Sequence, residues 1–229
     1  MFFWDYTIFL IIPPLILALY AQQKVRSTYA RYSNINSSSR LTGSDVARNI
    51  LQLKGATDVN IEKVKGRLTD HYDPRKKVLR LSEGIYGSSS LAALGIAAHE
   101  TGHALQHHDG YAPLHFRNAI FPVANLGSTL AFPLFFIGFI FSRNGPSILM
   151  DLGIILFSGA VLFIVITLPV EFNASKRALV LLEETHYLQG RELAGARKVL
   201  SAAALTYVAS TAMAVMQLLR LIILRDARD

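Results

Sequence analysis

Cysteine is absent from all 229 residues. That excludes disulfides, thiolate nucleophiles and the cysteine-closed sites that hold most structural zinc. Charge is scarce too: Asp, Glu, Lys and Arg make up 17% of the chain, against 52% for hydrophobic residues. A soluble domain carries about a quarter charged residues, so the composition argues against a water-soluble globule. The deficit is concentrated in blocks. Ala119 to Phe141 and Val199 to Leu219 hold no charge, Ile148 to Val170 holds only Asp151, and Phe2 to Tyr20 is apolar apart from Asp5 and Thr7. Each block is long enough to cross a bilayer core, which takes about 20 helical residues. Four spans are predicted.

The first block lacks a basic leading end, which a secretory signal peptide needs. Its positive charge comes afterwards, at Lys24, Arg26 and Arg31, as in an anchor whose following loop is cytoplasmic. Pro13-Pro14 inside it is a kink that membrane helices tolerate. Residues 21–118 hold well over half of the 23 Lys and Arg, residues 171–198 add Lys176, Arg177, Arg191, Arg197 and Lys198, and the connection from Ser142 to Ser147 has only Arg143. The positive-inside rule puts both polar segments in the cytoplasm. The predicted organisation is an anchor over 1–22, a cytoplasmic domain over 23–118, a membrane hairpin over 119–170, a cytoplasmic helical segment over 171–198 and a last membrane helix with a tail over 199–229. The net charge of +7 suits an anionic inner leaflet and needs no nucleic-acid partner.

Against this background one pattern carries chemistry: His99-Glu100-Thr101-Gly102-His103. Ser88-Ser89-Ser90 offers an N-cap, and the small residues and helix formers of Leu91 to Ala98 follow. Residues four apart on a helix share a face, so His99 and His103 can reach one zinc ion while Glu100 stands beside it as a general base. The plainer reading, two interior histidines of an Ala-rich helix, leaves the intervening glutamate unexplained.

A catalytic zinc needs a third protein ligand. His107 is eight residues of helix from His99, about 12 Å along the axis. Asp109 stands where one peptidase class places its third ligand, but that class needs Gly where this chain has Gln106. Glu171 is the strongest candidate. A carboxylate at the end of an apolar span is costly unless paired or metal-bound, and a hairpin of spans two and three returns it to the side where His103 left. Ala174, one turn on, permits close helix packing. The competing reading pairs Glu171 with Lys176 or Arg177. His108 and His115 read as surface residues and His71 as a sheet residue. For the oxyanion, His186-Tyr187 offers a donor, with an ordinary polar turn before Gln189-Gly190 as the plainer alternative.

The segment between the first two spans reads as a small α+β domain. A helix starts near Leu41-Thr42-Gly43-Ser44-Asp45, with Val46, Ile50, Leu51 and Leu53 as its apolar stripe. Val59, Ile61 and Val64 alternate like a strand, and Asp73-Pro74-Arg75 marks a turn before Lys76 to Ser82. A hairpin or small sheet is predicted just upstream of the metal helix. Its edge either receives a substrate strand or is merely structural. Ser-rich Asn34 to Arg40 reads as a flexible linker.

Three blocks, His99 to Gln106, Pro169 to Ser175 and Asp70 to Ser82, resemble the YugP-type neutral zinc metallopeptidases of bacterial membranes, and the resemblance covers nearly the whole chain. More distantly the layout is similar to the HtpX and CAAX-type membrane peptidases. The resemblance implies a mainly α integral membrane fold of about four transmembrane helices with a small cytoplasmic zincin-like α+β portion. It also implies a gluzincin-like site: zinc on His99, His103 and Glu171, with Glu100 activating water to cleave membrane-associated peptides or proteins. Those distant relatives carry Asp four residues after the ligand Glu, against a zinc-bound His; here Ser175 stands there. A membrane scaffold with a structural metal is the alternative, but three ligands beside a free Glu serve no structural purpose. A transporter would place ionisable groups mid-membrane, which spans two and four lack.

Overall fold

The computed structural model describes residues 6–142 and 145–227. Asp5 and Arg143, which entered the charge reading, lie outside them. The fold is mainly helical, with one small sheet. Four helices among the described residues are long and apolar enough to cross a membrane: Tyr6–Tyr32, Ala112–Phe141, Ile148–Glu184 and Gly190–Asp226. They run past the uncharged blocks read from sequence. At 1.5 Å per residue the 37-residue Ile148–Glu184 helix is about 55 Å long, well beyond a hydrocarbon core of about 30 Å.

The chain divides into two units. The first gathers the stretch ending at Ala21, Phe116–Leu168 and the residues from Thr206. It draws on α1 (Ile12–Tyr32), α5 (Ala112–Phe141), α6 (Ile148–Glu184) and α7 (Gly190–Asp226). Pro13 and Pro14 fall in the first turn of α1, where a missing N–H leaves no helical bond unmade; they start this helix and do not kink it. Phe135, Met150 and Leu221 are fully buried in this unit. Gly153 lets α6 approach α5 closely, for a Cβ there would lie 2.7 Å from the Ala131 carbonyl oxygen. Small residues at such contacts are how helices associate in lipid. Large apolar side chains such as Val123, Ile140, Ile155 and Leu162 are exposed, as lipid-facing positions should be.

The second unit comprises Gln22–His115 and Pro169–Leu205. It holds α2 (Gly43–Leu53), β1 (Asn60–Val64), β2 (His71–Asp73), β3 (Val78–Ser82), the short α3 (Glu83–Tyr86) and α4 (Leu91–His108). β2 and β3 form the expected hairpin, with Tyr72 opposite Leu79. Asp73 Oδ1 closes its turn by accepting from the N–H groups of Arg75 and Lys76. β1 pairs parallel to β3, so the order is β1-β3-β2 and β2 is an edge. The sheet and α2 share one core with α4, in which Ile50, Leu79, Leu81, Ile85 and Leu94 are all but fully buried.

The segment from Asn34 to Arg40 is not the flexible linker its composition suggested. Ser37 is buried, and its N–H donates to the Ser89 carbonyl at 2.8 Å. Ser38 donates through N–H and hydroxyl to the two oxygens of Glu192, and the Leu91 N–H donates to the Ile35 carbonyl. These bonds tie the segment to the starts of both α4 and α7.

α2 opens with a reciprocal cap. The Asp45 N–H donates to Thr42 Oγ1 at 3.2 Å, and the Thr42 N–H to Asp45 Oδ2 at 3.0 Å. Thr42→Ala is expected to cost about 1 kcal/mol in denaturant unfolding. The Thr42 hydroxyl and N–H together hold the Asp45 carboxyl below its usual range. A carboxyl depressed by folding stabilises above its unfolded pKa, and this is lost as pH falls through the folded value. The stability gap between wild type and Asp45→Asn should therefore narrow on acidification.

Candidate metal centre

Ser90 starts α4, its hydroxyl accepting from the Ala93 N–H at 3.2 Å. Nearly all of the following helix is buried and much of it is Ala or Gly, so neighbouring backbones come close. The closest approach is at Gly102, where a Cβ would lie 2.7 Å from the Ala174 carbonyl oxygen of α6. This contact aligns one turn of α4 with the turn of α6 that carries Glu171.

His99 and His103 stack edge to face, ring centroids 4.8 Å apart. Glu171, 5% exposed, places Oε2 at 3.4 Å from His99 Nε2 and at 3.4 Å from His103 Nε2. One ligand atom from each of the three lies within 4.8 Å of the others. Two ligands bound at about 2.0–2.1 Å with a tetrahedral angle lie about 3.4 Å apart. Two imidazole nitrogens and a carboxylate oxygen are also ordinary zinc donors. The three residues fit a zinc ion in spacing and in chemistry.

The far side of each imidazole is engaged. Ser175 Oγ is 3.0 Å from His99 Nδ1, and Gln106 Oε1 is 3.0 Å from His103 Nδ1. Gln106 cannot turn over, because its Nε2 donates to the Val170 carbonyl at 2.8 Å and to Asn173 Oδ1 at 2.9 Å. His103 Nδ1 must therefore carry a proton, so in the neutral ring the lone pair is on Nε2, the nitrogen that faces Glu171. Arg177 Nε also donates to Asn173 Oδ1, and Arg177 pairs with Asp109. Ser175 occupies the position read as a departure and makes the bond expected there. Gln106 was read only as a missing glycine; its place three residues after His103, on one helix face, was the available signal.

Glu100 is half-buried beside this group. Burial pushes its carboxyl up to about 6; His99 opposes the rise, and the negative charges of Glu171 and Asp70 add to it. Asp70 immediately precedes the edge strand β2 and His71 begins it, so the start of that strand borders the centre. Asp70 is held there by the N–H and hydroxyl of Ser82, at 2.7 and 3.0 Å. The other candidates have different work. Asp109 caps α4 and pairs with Arg177. His107 Nδ1 is 2.8 Å from the Tyr72 hydroxyl, which burial pushes up to about 12 and so keeps as a donor. His186 sits in the exposed turn after α6 with φ of 59°, its ring bonded to Gln189; none of its described contacts is with the three convergent residues.

The pattern of a protein family described as "Putative neutral zinc metallopeptidase" matches residues 7–226. The chain belongs to this family. It is also 49% identical over 223 residues to "Putative membrane protease YugP" of Bacillus subtilis (strain 168), covering 97% of this chain and 98% of that one. No solved structure matches it. Family membership implies zinc, and the four long apolar helices make this member a multi-pass membrane protein.

Gly102→Ala tests whether backbone contact sets the centre. Overpacking at so tight a position is expected to cost about 1–3 kcal/mol and to reduce bound zinc, read by unfolding and metal analysis of the same preparation. Wild-type stability and zinc content in this variant would show that α4 and α6 do not need to touch.

Proposed function

We propose that the chain is a zinc metalloendopeptidase that hydrolyses membrane-associated peptides or proteins on the cytoplasmic side of the membrane. The convergence of His99, His103 and Glu171, with the Glu171 carboxylate 3.4 Å from each imidazole and all three within 4.8 Å, and Glu100 adjoining, carries this reading. Zinc held there supplies a Lewis acid that polarises the scissile carbonyl and eases ionisation of water. Glu100 takes the proton of the attacking water and returns it to the leaving amine. A carboxyl raised toward neutrality does both efficiently, being ready to accept and to release. Ser175 and Gln106 fix the ring orientations, so that both Nε2 lone pairs face the centre.

The free side of β2 offers main-chain hydrogen bonds to an extended substrate, and its first residues lie near Glu100. A peptide added there is held by its backbone and need not have a particular sequence. The bonds made by His186 give no support to an oxyanion role, and we assign it none. The cytoplasmic side is inferred from the basic residues of 21–118 and 171–198.

Glu100→Gln is expected to keep zinc and to lower peptide turnover by about 10²–10⁴-fold, measured with a quenched fluorogenic peptide and full-length protein in detergent. Glu171→Ala should lose both zinc and turnover. Undiminished turnover in Glu100→Gln would remove the general base from this account; full zinc content in Glu171→Ala would move the third ligand elsewhere.

A further inference from the structure

A cavity of about 570 Å³ lies between the end of α1 and the first half of α7, and no residue of the metal centre lines it. Four cations do: Lys24 and Arg31 from α1, Arg197 and Lys198 from α7. No carboxylate is among its walls, and none of the four makes an ion pair among the described residues. Elsewhere in this unit some cations are matched, such as Arg80 with Glu62 and Asp73, Lys77 with Asp58 and Arg177 with Asp109; others stand singly at the surface, and what sets the four apart is that they line one cavity. Four like charges around one small space repel each other unless an anion joins them.

A second feature points the same way. Thr28, only 9% exposed, also lines the cavity, and its hydroxyl makes no hydrogen bond to the protein among the described residues. Its oxygen is reachable from the cavity, where a bound group can accept from the hydroxyl. An anion with several acceptor oxygens would satisfy Thr28 and the four cations together.

The position of the cavity along the two helices narrows the choice of anion. Lys24 comes shortly after the apolar block that ends at Tyr20, and Lys198 immediately precedes the uncharged block from Val199 to Leu219. In helices that cross a membrane this is headgroup depth, where basic pockets between helices recognise anionic lipids. Ala202 and Leu205 add an apolar wall, which a free phosphate ion would not use.

We propose that this cavity binds an anionic phospholipid, its phosphate held by Arg31, Arg197 and the two lysines and accepting from Thr28, its upper acyl chain against Leu205. The test uses the full chain in lipid discs of phosphatidylcholine, with and without phosphatidylglycerol, and reads retained lipid by native mass spectrometry. Wild type should retain phosphatidylglycerol in preference to phosphatidylcholine. Arg31→Gln with Lys198→Gln should lower that preference by about fivefold for each charge removed, and the charge-preserving pair Arg31→Lys with Lys198→Arg should keep most of it.

A wild type with no preference overturns the proposal, and this comparison stands whether or not the variants fold. So does an unchanged preference in a correctly folded double-glutamine variant. Inorganic phosphate that raises the unfolding temperature in phosphatidylcholine discs as much as phosphatidylglycerol does would assign the cavity to a soluble anion instead.

Discussion

Backbone contact between α4 and α6 at Gly102 and Ala174 is the constraint on which the centre depends. A carboxylate side chain is short, so Glu171 reaches both imidazoles only if the two helix axes are closer than ordinary side chains permit. The same device recurs two turns earlier on α4: a Cβ at Gly95 would lie 3.3 Å from that of Ala196 on α7. α4 is thus a thin rod largely buried by its neighbours, its polar side included. Its small residues give up side-chain packing, and in exchange the helix that carries both Glu171 and Ser175 comes within reach.

Neutral groups hold both histidines. A carboxylate behind a ligating imidazole raises its basicity as well as orienting it. Ser175 and Gln106 orient the rings without adding negative charge, while Glu171 and Glu100 already place two carboxyl groups close together. A third carboxylate behind His99 would raise the cost of ionising Glu100, which burial has already pushed up to about 6. The chain of bonds from His103 through Gln106 and Asn173 to Arg177 and Asp109 ends in an ion pair at the partly exposed rim. The buried polar atoms along it are thus satisfied without a buried charge at its inner end.

The parts legible in the sequence were those in which one short-range rule dominates. Helical period places His99 and His103 on one face, and the cost of a carboxylate at the end of an apolar run singles out Glu171. The three side chains converge to within 4.8 Å of one another. Thr42 and Asp45, three residues apart, announced the cap of α2. What stayed hidden depends on partners far apart in the chain. Gln106 bonds to Asn173, and Lys24 shares a cavity with Lys198; spacing cannot reveal either. The serines from Ser37 to Ser39 misled for a related reason. Their composition is that of a loose linker, yet the Ser89 carbonyl and the Glu192 carboxylate supply the partners that hold them in place. The parallel pairing of β1 with β3 was equally out of reach, since only the adjacent β2–β3 pair is joined by a readable turn.

Hydrolysis needs water, and the distribution of backbone structure says where water must be. Every strand among the described residues, and every residue of the centre, belongs to one unit, whereas the other is built from apolar helices. An open sheet edge cannot face hydrocarbon, because its N–H and C=O groups would lose water without gaining partners. The free edge of β2 therefore has to meet water or protein, not lipid. The length of α6 makes this possible. The stretch from Ile148 to Val170 already suffices to cross the core, so the remainder, with Glu171, Lys176 and Arg177, is free to extend beyond it. A single helix thus supplies an apolar run long enough to cross the membrane and one of the three convergent side chains, and its charges begin where that run ends.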